Sequence, residues 1–501
     1  MNKTLVKNSD IAVIKSKFFL YRLISYFSFL LIPVWVQKTI DLSTGSQIII
    51  MQIYCLFMFG QWFLLGKEID HRLKIYYRVN STMDRIIYRL LIGQAALILI
   101  FNLYSLIPDS IVNHFFWGTW VVLGVFYSWP TRGKIIQESV SGQFGEFRYL
   151  DRFEKTILGL SVIIFLVSFP EVTVFDNIDS LKLYFDPLLK FSPQFWNFLS
   201  LNYFPFKKYP MIFKIAWVTH FYAIGIGMFL LLFYALCRYF VSRRLSLLGV
   251  FAILSSWSLT KTLGININYA ISTTYSLIWI WSLLWVAKSA TYRTGIFIGL
   301  IGYYGTIINQ SFFILSLIQI AALIFIFFKD KNFWFKRQFF KYTIFGFSMG
   351  LVTFLMNIKN IYYSPSSIGL EELFFQLKTL FERKAFYLLS FFGVISILHL
   401  YLGKNKDGIK MLEIERQKLN QFILALLLLF SYGLFFDSQA IEHFTLMWVI
   451  TLLSLLPLEN IFQSMSRLRS RRNMIYVVYI LICLLDSHLE GRVKVFLRLF
   501  R

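Results

Sequence analysis

The sequence predicts an all-α, polytopic membrane protein, and three observations carry that prediction. Hydrophobic residues make up 57% of its 501 positions and charged residues 15%, whereas soluble domains are about 25% charged; mean hydropathy is +0.63. Apolar runs of roughly 18 residues or more recur from end to end, each long enough to cross a ~30 Å hydrocarbon core. The basic residues behind the net charge of +24 fall in short loops between those runs, as the positive-inside bias requires. No basic face stands apart from a run, so nucleic acid is not an expected partner. Cys55, Cys237 and Cys483 lie inside apolar runs and read as small hydrophobes there, with no spacing that suggests a metal site or disulfide framework.

Taken in order, Lys3, Lys7, Lys15 and Lys17 precede an apolar run from Phe18 to Val36. That run lacks a small-residue cleavage site and reads as a retained first span with a cytoplasmic N-terminus. Further spans are expected near 48–65, 87–107, 112–129, 155–172, 211–236, 245–262 and 268–287. Others follow near 295–309, 310–328, 341–357, 386–402, 421–436, 443–460 and 475–487, about 14–15 in all. Alternation from a cytoplasmic start puts Lys67, Arg72, Lys74, Arg238, Arg243, Arg244, Arg471 and Arg472 inside. It puts 171–210 outside, as one large external loop carrying short helices. Residues 358–385 form a second external loop, in which Glu371 to Lys384 alternate at the spacing of a surface helix. Residues 403–420 read as a charged cytoplasmic connector. A span at 475–487 would put Arg492, Lys494, Arg498 and Arg501 outside, against the bias, so a re-entrant or interfacial helix is the alternative there. Three regions result: 1–154, four spans with cytoplasmic loops; 155–340, a module around the external loop; and 341–501, the C-terminal spans. The expected location is the plasma (inner) membrane.

The chemistry expected of this architecture sits in the 171–210 loop. Asp176 and Asp179 follow a span directly, and at i, i+3 they share a face of any helix there. Such carboxylates can remove a proton from a hydroxyl or hold a divalent cation against a phosphate. The structural alternative is that they cap the span and keep the loop in water. Lys207, Lys208 and Tyr209 close the loop before the next span, where ammonium groups meet either phosphates or the interface. Glu442 and His443 open the late span from the same external face. Gln137 to Glu154, polar and glycine-bearing, reads as a cytoplasmic surface helix, the alternative being a helix–loop that docks a partner.

The order VFDNIDS, NYFPFKKYPMIF and YALCRYFVSRRLSLLGVFAILSSWS, followed by the glycine-rich GIFIGLIGYYGTIINQ and the late IEHFTLMWVITLLSLLP, resembles the GT-C class of membrane glycosyltransferases. The similar branches are the dolichyl-phosphate-mannose mannosyltransferase-like and lipid-A aminoarabinose-transferase-like ones. That resemblance implies transfer of a sugar from a polyprenyl-phosphate donor in the membrane lipid to an acceptor on the external face. It implies Asp176 as general base or metal-side carboxylate, Asp179 as its partner, and Lys207 and Lys208 at the lipid-linked phosphate. A divalent cation is the one cofactor it allows, and membrane-protein partners are compatible with it. GKEIDHRLKIYYRVNSTMDRIIYR is similar, more faintly, to the start of the Asp-rich motif of UbiA-type prenyltransferases, which would give Asp70 and Asp84 a magnesium-side role. The alternative readings are a lipid or small-solute transporter or flippase, and a non-catalytic membrane scaffold.

Overall fold

The computed structural model describes residues 19–31 (except 29), 44–73, 82–104, 109–128, 149–172, 226–256, 267–287, 291–308, 312–328, 337–357, 409–435, 443–464, 469–485 and 487–498. Among these the regular structure is helical throughout, as expected, with no strand. Helical residues 19–28 are followed by α1 (Thr44–Leu73), α2 (Thr82–Tyr104) and α3 (Asp109–Ser128). Next come α4 (Arg152–Val172), α5 (Gly227–Phe240), α6 (Arg243–Ser255), α7 (Ile267–Ala287), α8 (Tyr292–Ile308), α9 (Phe312–Phe328) and α10 (Arg337–Asn357). The last are α11 (Ile409–Phe435), α12 (His443–Ser464), α13 (Arg469–Leu485) and α14 (Leu489–Arg498). The chain divides into two compact units, one holding α1–α3 and the other α4–α14.

Among the described residues one helical stretch, Ile49–Asp70, is long and apolar enough to cross a membrane, or two if the bent pair α13–α14 counts as one. Shorter apolar helices are Gly227–Phe240, Thr273–Val286, Phe312–Phe327 and Lys418–Gly433.

In the first unit, α1 and α2 pack antiparallel with their backbones in contact. A Cβ on Gly66 would strike the Arg89 carbonyl, and one on Gly93 would strike the Trp62 carbonyl and lie 2.9 Å from the Gly66 nitrogen. One turn from this crossing, the Arg89 guanidinium grips Asp70, with Nε donating to Oδ2 at 2.8 Å and both side chains buried. Lys67 is buried as well. The sequence places Lys67 in a cytoplasmic loop after residue 65; instead α1 continues for two more turns. The reason is local: Gly66 and Asp70 complete a seam with Gly93 and Arg89 only if 66–70 stays helical. Asp70 is thereby committed to a guanidinium, which weighs against a magnesium role.

The second unit is organised around α7, whose residues Thr273 to Val286 are all buried. A helix apolar on every side belongs inside its domain. Its polar atoms are matched across the packing: Trp279 Nε1 donates to the Leu315 carbonyl at 2.9 Å, and Gln319 Nε2 donates to Ser282 Oγ at 2.7 Å. The glycine-rich segment becomes α8, and it lies parallel to α10. Gly295 faces Phe339, Gly299 faces Thr343 and Gly346, and Gly302 faces Phe347. A Cβ on Gly299 would sit 2.6 Å from both the Gly346 Cα and the Thr343 carbonyl oxygen. Gly295 and Gly299 permit backbone contact of the small-xxx-small kind, and Gly302 makes room for the Phe347 ring. The helix α11 starts at Ile409, inside the expected connector, because IKMLEIERQKLNQ is rich in strong helix formers.

Two outcomes are expected. Asp70→Ala should destabilise the protein by about 3–5 kcal/mol by stranding a buried guanidinium, while Asp70→Leu with Arg89→Met should recover most of the loss; the melting temperatures of the two variants check this. Gly299→Ala should cost about 1–3 kcal/mol by overpacking, whereas Gly159→Ala, with open space around its Cβ position, should not lower the melting temperature.

Candidate functional site

Of the residues assigned to chemistry by the sequence, Asp176, Asp179, Lys207, Lys208, Tyr209 and Glu442 lie outside the described residues. His443 is the first residue of α12. What the second unit does define is the two ends of the helices that flank these positions.

One end is a basic junction. Helix α4 begins with a capping box: the Glu154 N–H donates to Asp151 Oδ1 at 2.8 Å, and the Asp151 N–H donates to Glu154 Oε2 at 2.9 Å. This reciprocal arrangement satisfies two donors that a helix start leaves open. Both carboxylates also hold the Arg243–Arg244 pair that opens α6. Arg243 Nε and Nη2 reach the two Glu154 oxygens at 2.8 Å each, a bidentate fork, and Arg244 pairs with Asp151. Glu154 is 2% exposed and Arg243 28%. Between α5 and α6, the Ser242 N–H donates to Glu459 Oε2 of α12 at 2.8 Å, placing an anion at the start of α6 as its dipole favours. Carbonyls at the end of α5 receive cations: Lys418 Nζ reaches the Tyr239 carbonyl at 3.3 Å, and Arg238 Nη1 the Val241 carbonyl at 3.1 Å.

The other end is closed by Arg492. This fully buried residue of α14 donates from Nη1 to Ser168 Oγ of α4 at 2.8 Å and to the Leu254 carbonyl at 3.0 Å. From Nη2 it donates to the Ser255 carbonyl at 3.3 Å. Those carbonyls belong to the last turn of α6, where acceptors are orphaned and a cation is favoured.

These contacts fix directions. Helix α4 meets α6 start to start at the junction and end to end at Arg492, so the two are parallel. Helix α5 forms an antiparallel hairpin with α6, seen in the approach of Gly249 to Phe233 and Cys237. In α12, Glu459 lies at the junction, Leu455 against Gly249, and the Trp448 ring 6.5 Å from that of Phe233. Its first residue, His443, therefore lies toward the end away from the junction. Val172, where α4 stops shortly before Asp176 in sequence, lies toward that end too.

The Asp151/Glu154 arrangement is readable as a D-x-x-E helix start, yet the sequence reading assigns Glu154 to a cytoplasmic surface helix without special function. Its near-complete burial against Arg243 corrects that. Arg492 gave no local signal, since its partners lie far away in sequence. Among the described residues no group of three or more His, Cys, Asp or Glu could hold a metal ion. No protein-family model, no curated protein and no solved structure matches this chain.

Glu154→Gln is expected to cost about 1.5–3 kcal/mol, the range for a hydrogen-bonded charge, because the amide cannot serve both the fork and the cap. A fall in melting temperature clearly larger than that of Lys494→Gln, whose partner Glu490 is exposed, checks it.

Proposed function

We propose that the chain is a polytopic membrane protein and, within that class, a glycosyltransferase that moves a sugar from a polyprenyl-phosphate carrier to an acceptor on the external face. The membrane reading rests on an inside-out distribution of side chains. Charged and polar groups such as Arg492, Lys67, Asp70, Gln319 and Ser454 are buried. Outward stripes are apolar: Leu160, Ile163 and Leu166 on α4, Ile324 and Phe325 on α9, Ile344 and Phe345 on α10. Water disfavours such stripes, whereas acyl chains do not.

The transferase reading rests on one observation, the sorting of helix ends in the second unit. The Arg243–Arg244 junction gathers at one end, consistent with the cytoplasmic face. The ends of α4 and α12 adjoining Asp176, Asp179, Glu442 and His443 in sequence point to the opposite face. In this reading Asp176 takes the proton from the acceptor hydroxyl, whose oxygen attacks the anomeric carbon. The bond from that carbon to the phosphate oxygen breaks, and the polyprenyl phosphate leaves with the bonding pair. Lys207 and Lys208 offset its charge.

A second reading, a transporter, is favoured by the bent α13–α14 pair with its buried Arg492, because broken helices with intramembrane charge mark transport sites. Asp176→Asn and Asp179→Asn separate the two. A transferase should lose sugar transfer from a radiolabelled polyprenyl-phosphate donor by 100-fold or more, of the order expected for a general base, with the protein still abundant in membranes. Retention of transfer in both variants would sink this reading. Cysteines introduced at Ser180 and Ser192 should react with an impermeant reagent from outside; reaction from the cytoplasm alone inverts the topology.

A further inference from the structure

The segment α13–α14 crosses the second unit from one end to the other. At the junction end, the Tyr476 ring lies 4.7 Å from that of Phe153, on the first turn of α4. Slightly further in, Tyr479 and Ser454 of α12 share a hydrogen bond at 3.3 Å. At the opposite end Arg492 reaches Ser168. From Phe153 to Ser168 α4 rises about 22 Å, and an unbroken helix from Tyr476 to Arg492 would rise about 24 Å. The two paths meet at both ends, so the 60° bend between α13 and α14 deflects the chain without turning it back. A re-entrant helix would return Arg492 to the level of Phe153, which its partners forbid.

The break has a local cause. Ser487 closes the end of α13, its N–H and Oγ both donating to the Leu484 carbonyl, at 3.1 and 2.7 Å. His488 then adopts φ 46°, the left-handed conformation that ends helices. The new helix starts with the Arg492 N–H on the His488 carbonyl at 3.2 Å. Helix α13 carries an outward apolar stripe of Met474, Val477, Leu481 and Leu485, whereas α14 carries Glu490, Lys494 and Arg498 on exposed positions.

We infer that α13 and α14 are a single broken membrane crossing, and that Arg492 is the anchor holding its basic second half at the face opposite Arg243–Arg244. The inference rests on the membrane reading proposed above, and it needs no particular enzymatic activity. The anchor is required because Lys494 and Arg498 on that face oppose the positive-inside bias. Neutral acceptors on α4 and α6 compensate by binding the guanidinium through three hydrogen bonds.

The test uses cysteines introduced singly at Arg152 and Arg498, both exposed, in the full chain. The native cysteines are buried and can stay. An impermeant maleimide should modify Arg152→Cys only in inside-out vesicles and Arg498→Cys only in intact cells. Modification of both from the same face overturns the single crossing. Modification of both from either face, or recovery of the protein outside the membrane fraction, overturns the membrane reading and this inference with it. Adding Arg492→Lys keeps the charge but loses the planar fork. In that background Arg498→Cys should then react from both faces, and reaction from outside alone would refute the anchor. Should that variant fail to accumulate, Ser168→Ala removes one acceptor and should give a smaller redistribution in the same direction; none would refute the anchor equally.

Discussion

Glu154 makes two kinds of contact at once, and the second unit depends on both. Its carboxylate closes the cap of α4 and receives the Arg243 fork that opens α6. Because the two helices are tied at their starts, they share a level, and the Arg492 bonds at their far ends give them a common direction. The neighbouring Ser242–Glu459 hydrogen bond extends that level to α12. A buried ion pair is weak grounds for stability in general. Here its value is registry: it sets where four helices begin or end, and so which of their far ends come together.

Four polar contacts of the second unit follow one physical rule: cations sit at helix C-termini, where carbonyls lack partners, and a carboxylate sits at an N-terminus. Arg492 on α6, Lys418 and Arg238 on α5, and Glu459 on α6 all obey it. Ser168, Ser316, Thr306 and Thr343 return their hydroxyls to the carbonyl four residues earlier. In that arrangement a buried hydroxyl is satisfied within its own helix.

Helix content was legible because long apolar runs dictate it, and bounds such as 268–287 against Ile267–Ala287 differ by a residue. Where charge interrupted a run, the reading stopped short, as at Lys67 and in 403–420. Local patterning cannot foresee that Gly93 and Arg89 extend α1, or that a charged stretch built from Leu, Glu and Lys continues a helix. The candidate residues Asp176, Asp179, Lys207, Lys208 and Tyr209 stand on sequence order, outside the described residues. The features that orient their surroundings, Glu154 and Arg492, are long-range pairings, and a single sequence carries no trace of those beyond the D-x-x-E start.

The contact between α8 and α10 has a mechanical consequence. Where Gly295 and Gly299 meet the main chain of Phe339, Thr343 and Gly346, little side chain stands between the backbones to act as a bearing. Sliding one helix along the other would drive the next non-glycine Cβ into main-chain atoms. The pair therefore moves as one rigid strut. Any rearrangement of this unit must be absorbed at seams lined by deformable side chains, such as the ring contacts of Phe240, Phe422 and Trp448.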